Sequence, residues 1–376
     1  MTARAKIPLY KSVSKCCFSS MKCALRVLGI GLFMGLTGVN WSPDGKDGGG
    51  GDGVPAGGTR LTPVTSAPVE KRGNLIWCAT FQMAWDRAAK DFGKPIMLEP
   101  ASKLADDLNL HPFDPAWVDD KAVFVTGGTA NAGVEREIAA GLKRLGAGDS
   151  ELMKDIAPRL MPGDLVFFAA LKKDLAFPRP FGRLGNWKLA GTSVPCFGFS
   201  PEHEGADKLR EQVKVHHYGG ENDFVIELLT KDAEEQLVLA RLPERPATLG
   251  SAIAATRKHL RDDAPDARWD DLVVIPNMCL AAKSRFSELE GKRVRGNGKT
   301  LTQAMQLVDF RMDEQGVRLR SEAAVSFGCS AGPARVEPRR IIVKPPFVIM
   351  MKRRAAPQPY FATWVANGDP LRKPDG

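Results

Sequence analysis

Apolar residues recur at three- and four-residue steps along residues 75–92, where Trp77, Phe81, Ala84, Trp85 and Ala88 share one face. That spacing predicts a first helix, stopped by Gly93-Lys94-Pro95. Residues 122–126 (AVFVT) read as a short buried strand ended by Gly127-Gly128. Helical spacing returns over 135–145 and within 149–160. After Pro162-Gly163 strand-like runs take over, at 165–171, 213–218, 224–229, 237–242, 272–275, 307–312, 341–343, 347–351 and 360–365. One helix, 249–260, interrupts them. Helices mostly first and strands mostly last predict an α+β fold with large antiparallel or mixed sheets, not an alternating parallel sheet.

The ends of the chain differ from this body. Arg4, Lys6, Lys11, Lys15, Lys22 and Arg26 precede an apolar stretch over 27–39, and residues 1–42 hold no acid. This order of charged, apolar and small residues is that of an export signal, so 1–42 is expected to be a signal peptide or, as the alternative, an N-terminal anchor held in the membrane through 27–39. The expected location is extracellular or periplasmic. Residues 43–70 are rich in Gly and hold few large apolar side chains, which predicts a disordered linker before a domain at 71–369. The basic head carries six of the nine net positive charges. The body is therefore nearly balanced, which argues against a nucleic-acid binder.

Sites for chemistry are sparse. Gly298-Lys299-Thr300 ends like a phosphate loop, but Arg293 stands where that motif needs glycine. His216 and His217 are adjacent, so a strand would point them to opposite faces, and the five histidines are expected at the surface or rim. Cys78, Cys196, Cys279 and Cys329 form no CxxC pair. No structural zinc site is expected, and both a disulfide and buried free thiols fit the spacing. Cys78 lacks a local base to activate it as a nucleophile. No cofactor, no metal and no enzymatic activity are expected.

Several segments carry a resemblance to one family. Pro346-Phe347-Val348-Ile349-Met350-Met351, a polar turn, and Tyr360-Phe361-Ala362-Thr363-Trp364-Val365-Ala366-Asn367 resemble the closing hairpin of serpins. Leu165 through Leu171, followed by Phe177-Pro178-Arg179-Pro180-Phe181, looks like the family's central strand and its exit. Val194-Pro195-Cys196-Phe197, the pair at 224–228 and 237–243, and the Leu-Pro strand at 272–276 with Phe286 follow in family order. Gly73-Asn74-Leu75-Ile76-Trp77 resembles the opening of the family's first long helix, and Met312-Asp313-Glu314-Gln315-Gly316 its acidic hinge. The correspondence is poor over 96–160.

What the resemblance implies is a suicide bait for a serine protease, acting as a monomer. Its main sheet would accept one more strand, and an exposed loop over 317–340 would offer a cleavable bond. The hinge would be Glu314, Gln315, Gly316, Val317 and Leu319. Alternation from Val317 to Ala323 would point Val317, Leu319, Ser321 and Ala323 inward and Arg318, Arg320 and Glu322 outward. Counting forward from the hinge places the scissile bond at Ser330, and counting back from Pro346-Phe347 places it at Arg335. Arg335 suits a trypsin-like partner. Where the family has polar residues that govern sheet opening, this chain has Asn74, Cys78, Ala169 and Gln306. These departures, with bulky Leu319, leave open a non-inhibitory binding or scaffold role on the same fold.

Overall fold

The computed structural model describes residues 58–130, 132–318 and 339–372. The basic head, most of the Gly-rich segment, Cys329, and the residues Leu319, Ser330 and Arg335 lie outside them.

The chain opens with β1 (Thr59–Thr62), β2 (Asn74–Cys78), α1 (Thr80–Phe92), β3 (Leu98–Glu99) and α2 (Lys103–Leu110). Next come β4 (Val123–Thr129), α3 (Val134–Arg144), α4 (Glu151–Ile156), β5 (Leu165–Leu171) and β6 (Asp174–Ala176). They are followed by β7 (Gly182–Leu189), β8 (Thr192–Phe199), α5 (Ala206–Arg210), β9 (Val213–Gly220), β10 (Asp223–Leu228) and β11 (Glu235–Arg241). α6 (Leu249–Arg257) precedes β12 (Leu272–Pro276), β13 (Met278–Arg285), β14 (Arg293–Val294), β15 (Met305–Asp313) and β16 (Gly316–Arg318). β17 (Arg340–Ile342), β18 (Phe347–Arg353) and β19 (Phe361–Val365) close it. The architecture is α+β, as the pattern predicts.

A seven-stranded sheet in the order β1-β2-β19-β18-β11-β10-β9 forms the centre. Every residue of β2, β11 and β19 is buried, so these strands are covered on both faces. They accordingly read as near-continuous apolar runs rather than alternating ones. A second sheet runs β17-β12-β8-β7, and a third β13-β15-β16-β6. β4 pairs with β5, and only Lys172 and Lys173 separate β5 from β6.

Several expectations need correction. Residues 75–78 belong to strand β2, not to the first helix, which begins at Thr80. The helical spacing there is accidental: Leu75, Ile76, Trp77 and Cys78 are all buried because β2 lies between β1 and β19. The expected linker ends early, since β1 pairs with β2 in parallel and buries Leu61 and Thr62. β4 runs through Gly127-Gly128 to Thr129, because β5 pairs with all seven of its residues.

His216 is not a surface residue. It is 4% exposed and stands 3.0 Å from Glu227 Oε2, while the backbone N–H of Arg261 donates to its Nδ1. That donor leaves Nε2 to carry the hydrogen toward Glu227. Arg354 donates to the other carboxylate oxygen at 2.6 Å, and Gln236 donates to Oε2 at 3.0 Å. Burial alone would raise the pKa of Glu227, but the His216 and Arg354 bonds outweigh it and hold the carboxyl below its usual value. A depressed carboxylate contributes stability above its unfolded pKa of about 4.3 and loses it as pH falls through the folded value. Glu227→Gln is therefore expected to be less stable than the parent at pH 7, with the gap in thermal midpoint shrinking below about pH 4. Melts taken between about pH 2 and 7 check this.

Candidate functional site

β15 bonds to β13 along its whole length, Met305 to Met312, on one side. On its other side, among the described residues, only Arg311, Met312 and Asp313 have a partner strand, β16. β5 bonds to β4 along all seven residues, and its other edge has no ladder partner among the described residues. Two bare strand edges thus flank one space. Unpaired strand edges are templates for a further strand.

That space is a cleft of about 360 Å3. Phe167, Phe168 and Ala169 of β5 line it, with Met305, Gln306 and Leu307 of β15. The helices bracket it. Phe167 packs with Trp85 and Phe92 of α1 in one apolar cluster, while Val166 and Phe168 pack with α3 and with Leu152 and Met153 of α4 in another. α1 and α4 therefore cover opposite faces of β5. Leu152 and Ile156 of α4 reach the cleft, and an ion pair between Asp155 and Lys283 of β13 anchors α4 beyond it.

The hinge lies at the far end of β15 from the cleft's Met305–Leu307 wall. Gln315 N–H donates to Asp313 Oδ1 at 2.8 Å and forms the turn between β15 and β16. Gly316 has φ +155° and sits against the Leu175 carbonyl, where a Cβ would collide with backbone. Glu314, 6% exposed, accepts from Arg183 Nε at 2.6 Å. Phe181 N–H donates to the Glu314 carbonyl and Phe177 N–H to that of Gln315, both at 2.9 Å. β16 is then held on both sides: Met312 and Leu175 lie opposite Val317, which is fully buried. The expectation that the loop lies outside the sheet from 317 needs correction, since the ladder bonds of Gly316–Arg318 place its first residues between β15 and β6.

Of the four residues assigned to sheet opening, three converge. Gln306 Nε2 donates to the Cys78 carbonyl and to Thr80 Oγ1, each at 2.9 Å, and Ala169 lines the same cleft. Asn74 lies elsewhere. Its amide donates to Asn367 Oδ1 at 2.7 Å, and its carbonyl oxygen accepts from the backbone of Ala366 and Asn367. It ties β2 to the chain after β19, so it is a clasp on the closing hairpin. Thr80 and Arg183 escaped the sequence reading, and Phe81 entered it only as part of a helix face. Thr80 had one usable signal, a hydroxyl one turn after the aligned apolar run, while Arg183 and Glu314 are 131 positions apart.

Burial raises the Cys78 thiol above its usual pKa and pushes that of Cys196 up to about 12. Both are protonated and inert as nucleophiles at neutral pH. Cys78, Cys196 and Cys279 are free and buried. Among the described residues no group of three or more His, Cys, Asp or Glu side chains is placed to hold a metal, and no helix is long and apolar enough to cross a membrane.

No family model matches the chain, and no curated protein matches its sequence significantly. Among solved structures, it is similar to Serpin48 of the insect Tenebrio molitor at 12% identity and a TM-score of 0.43, covering 78% of this chain and 91% of that one. A serpin of the trematode Schistosoma haematobium gives 12% and 0.45, over 78% and 94%. Thyroxine-binding globulin in complex with thyroxine gives 12% and 0.43, over 78% and 92%.

Proposed function

We propose that the chain is a serpin-type bait for a trypsin-like serine protease, and that its loop enters the cleft between β5 and β15 once it is cut. The observation that carries this reading is β16, whose residues Gly316–Arg318 lie between β15 and β6 at the hinge end of the gap. Continuing its register against β15 would set Leu319 opposite Phe310, Ser321 opposite Val308 and Ala323 opposite Gln306. Continued against β6 and β5 without a bulge, it would set Ser321 opposite Leu171 and Ala323 opposite Ala169. Phe310, Val308 and Gln306 are the buried face of β15, so the uncharged members of the loop would turn inward. The proposed attack point is Arg335, with Ser330 as the second candidate. The protease serine would displace the amine of the next residue and keep the loop carbonyl as an ester while the strand moves.

Incubation with trypsin tests this. The expected result is an adduct that survives boiling in detergent, with protease activity falling in proportion to bait added. Clean cleavage with undiminished activity contradicts it.

A second reading, a non-inhibitory scaffold, draws on one position. Leu319 would arrive beside Lys173, which is 6% exposed and already bound to Glu235 at 2.8 Å, Asp232 at 3.1 Å and Asp119 at 3.3 Å. A bulky apolar side chain at that ionic node slows entry. Cleavage with neither an adduct nor a stiffer product selects this reading.

A further inference from the structure

We infer that the uncut protein's cleft binds an elongated apolar small molecule carrying N–H or O–H donors, held by the side-chain carbonyls of Gln303 and Gln306. Two features support it independently. The volume of about 360 Å3 lies within the range of small-molecule sites, roughly 300–1,000 Å3. Its apolar lining includes the aromatic side chains of Phe81, Trp85, Phe92 and Phe167. Within that lining, Gln303 Oε1 and Gln306 Oε1 are buried and accept no hydrogen bond from the described residues. Gln306 is 3% exposed, and its Nε2 is fully committed to Cys78 and Thr80, which fixes which end of the amide is left over. A buried acceptor without a donor costs free energy that an incoming N–H or O–H recovers.

An apolar side chain entering from the loop supplies no such donor. Ala323, the residue the β16 register would bring to Gln306, has none. A donor-bearing ligand therefore satisfies the cleft where a strand's side chain does not. The binding half of this inference stands on the cleft alone. Its regulatory half, that a bound molecule holds off the strand, rests on the reading given above.

The test is titration calorimetry of the full, uncut chain with 1,3-diphenylurea and with 1,3-diphenylacetone, which replaces both N–H groups by CH2. The urea is expected to bind about tenfold tighter, the worth of one good hydrogen bond to a buried acceptor. Gln303→Leu is expected to narrow that gap. Gln306→Leu should narrow it too, but it also removes the Thr80 bond, so Gln303→Leu is the cleaner variant. Ala169→Trp, which fills the space, is expected to abolish binding of both. Equal binding of the two compounds, no binding of either, or binding indifferent to Ala169→Trp overturns the inference. Pre-bound urea is then expected to delay the gain in melting temperature after loop cleavage. If the urea binds as described but cleavage brings no gain, the strand-entry reading fails and the site stands. If cleavage brings the gain but no urea binds, the site fails alone.

Discussion

Cutting the chain after Arg335 is expected to raise its thermal midpoint by about 10–20 °C. Before cleavage the outer edges of β5 and β15 have, among the described residues, no ladder partners beyond Arg311. Each strand residue that enters converts bare backbone groups on two flanking strands into hydrogen bonds, each contributing about 0.5–1.5 kcal/mol net. A gain of about 6–13 kcal/mol suffices, because a domain of about 300 residues moves roughly 1.6 °C per kcal/mol. Ala323→Arg is the matching control. It would carry a guanidinium to Gln306 and Ala169, and burying an unpaired charge costs more than one strand position supplies. The cut variant is expected to melt no higher than the uncut one, and trypsin adducts are expected to vanish. A cut parent protein whose midpoint does not rise contradicts the strand-entry reading.

Lys173→Met is expected to destabilise the uncut protein by about 3–5 kcal/mol, a fall of roughly 5–8 °C. Lys173 follows β5 and sits under the sheet beside Glu235, which is 1% exposed. Burial pulls the Lys173 pKa down, but the bonds to Glu235 and Asp232 outweigh it and the net shift is upward. An ammonium with a raised pKa gives its stability fully below its unfolded value of about 10.4 and loses it only as pH rises through the folded one. The whole contribution is therefore present at neutral pH. Removing it leaves Glu235 with the Tyr360 hydroxyl, which donates at 2.9 Å, as its remaining partner. Burial and the neighbouring Glu235 charge already hold the Tyr360 hydroxyl well above its usual pKa, so that bond persists but brings no compensating charge. The double variant Lys173→Met, Glu235→Gln is expected to recover part of the loss, because it removes the stranded charge as well. Chemical denaturation at pH 7 measures both. A single variant within about 1 kcal/mol of the parent contradicts this ionic node.

Reading the chain as sequence found the elements with one clear period or a sharp boundary. β18 and β19 stand out because two apolar runs flank a Pro-rich turn, and β5 because seven apolar residues follow Pro162-Gly163. The hinge was legible as an acidic turn ending in the glycine that the close approach to Leu175 demands. What stayed hidden has physical causes. β2 has no Gly or Pro between it and α1, only Ala79, so strand and helix merge into one apolar stretch. β7 carries two glycines and charged residues because it is an edge strand and only Leu189 in it is buried. β13 alternates only in its second half, where Lys283 and Arg285 face out. α2 is amphipathic over eight residues, too few for the period to show. Part of the cleft site was visible at Ala169 and Gln306. The Asn74 clasp was not, because its partners at Ala366 and Asn367 lie some 290 residues away and only pairing of β2 with β19 joins them.

The most direct measurement is a crystal structure of the chain cut after Arg335. The expected result is a new strand between β5 and β15, antiparallel to both, with Ala323 opposite Ala169 and Gln306. A structure in which β5 and β15 still flank an open cleft, with the cut segment outside the sheet, contradicts the account.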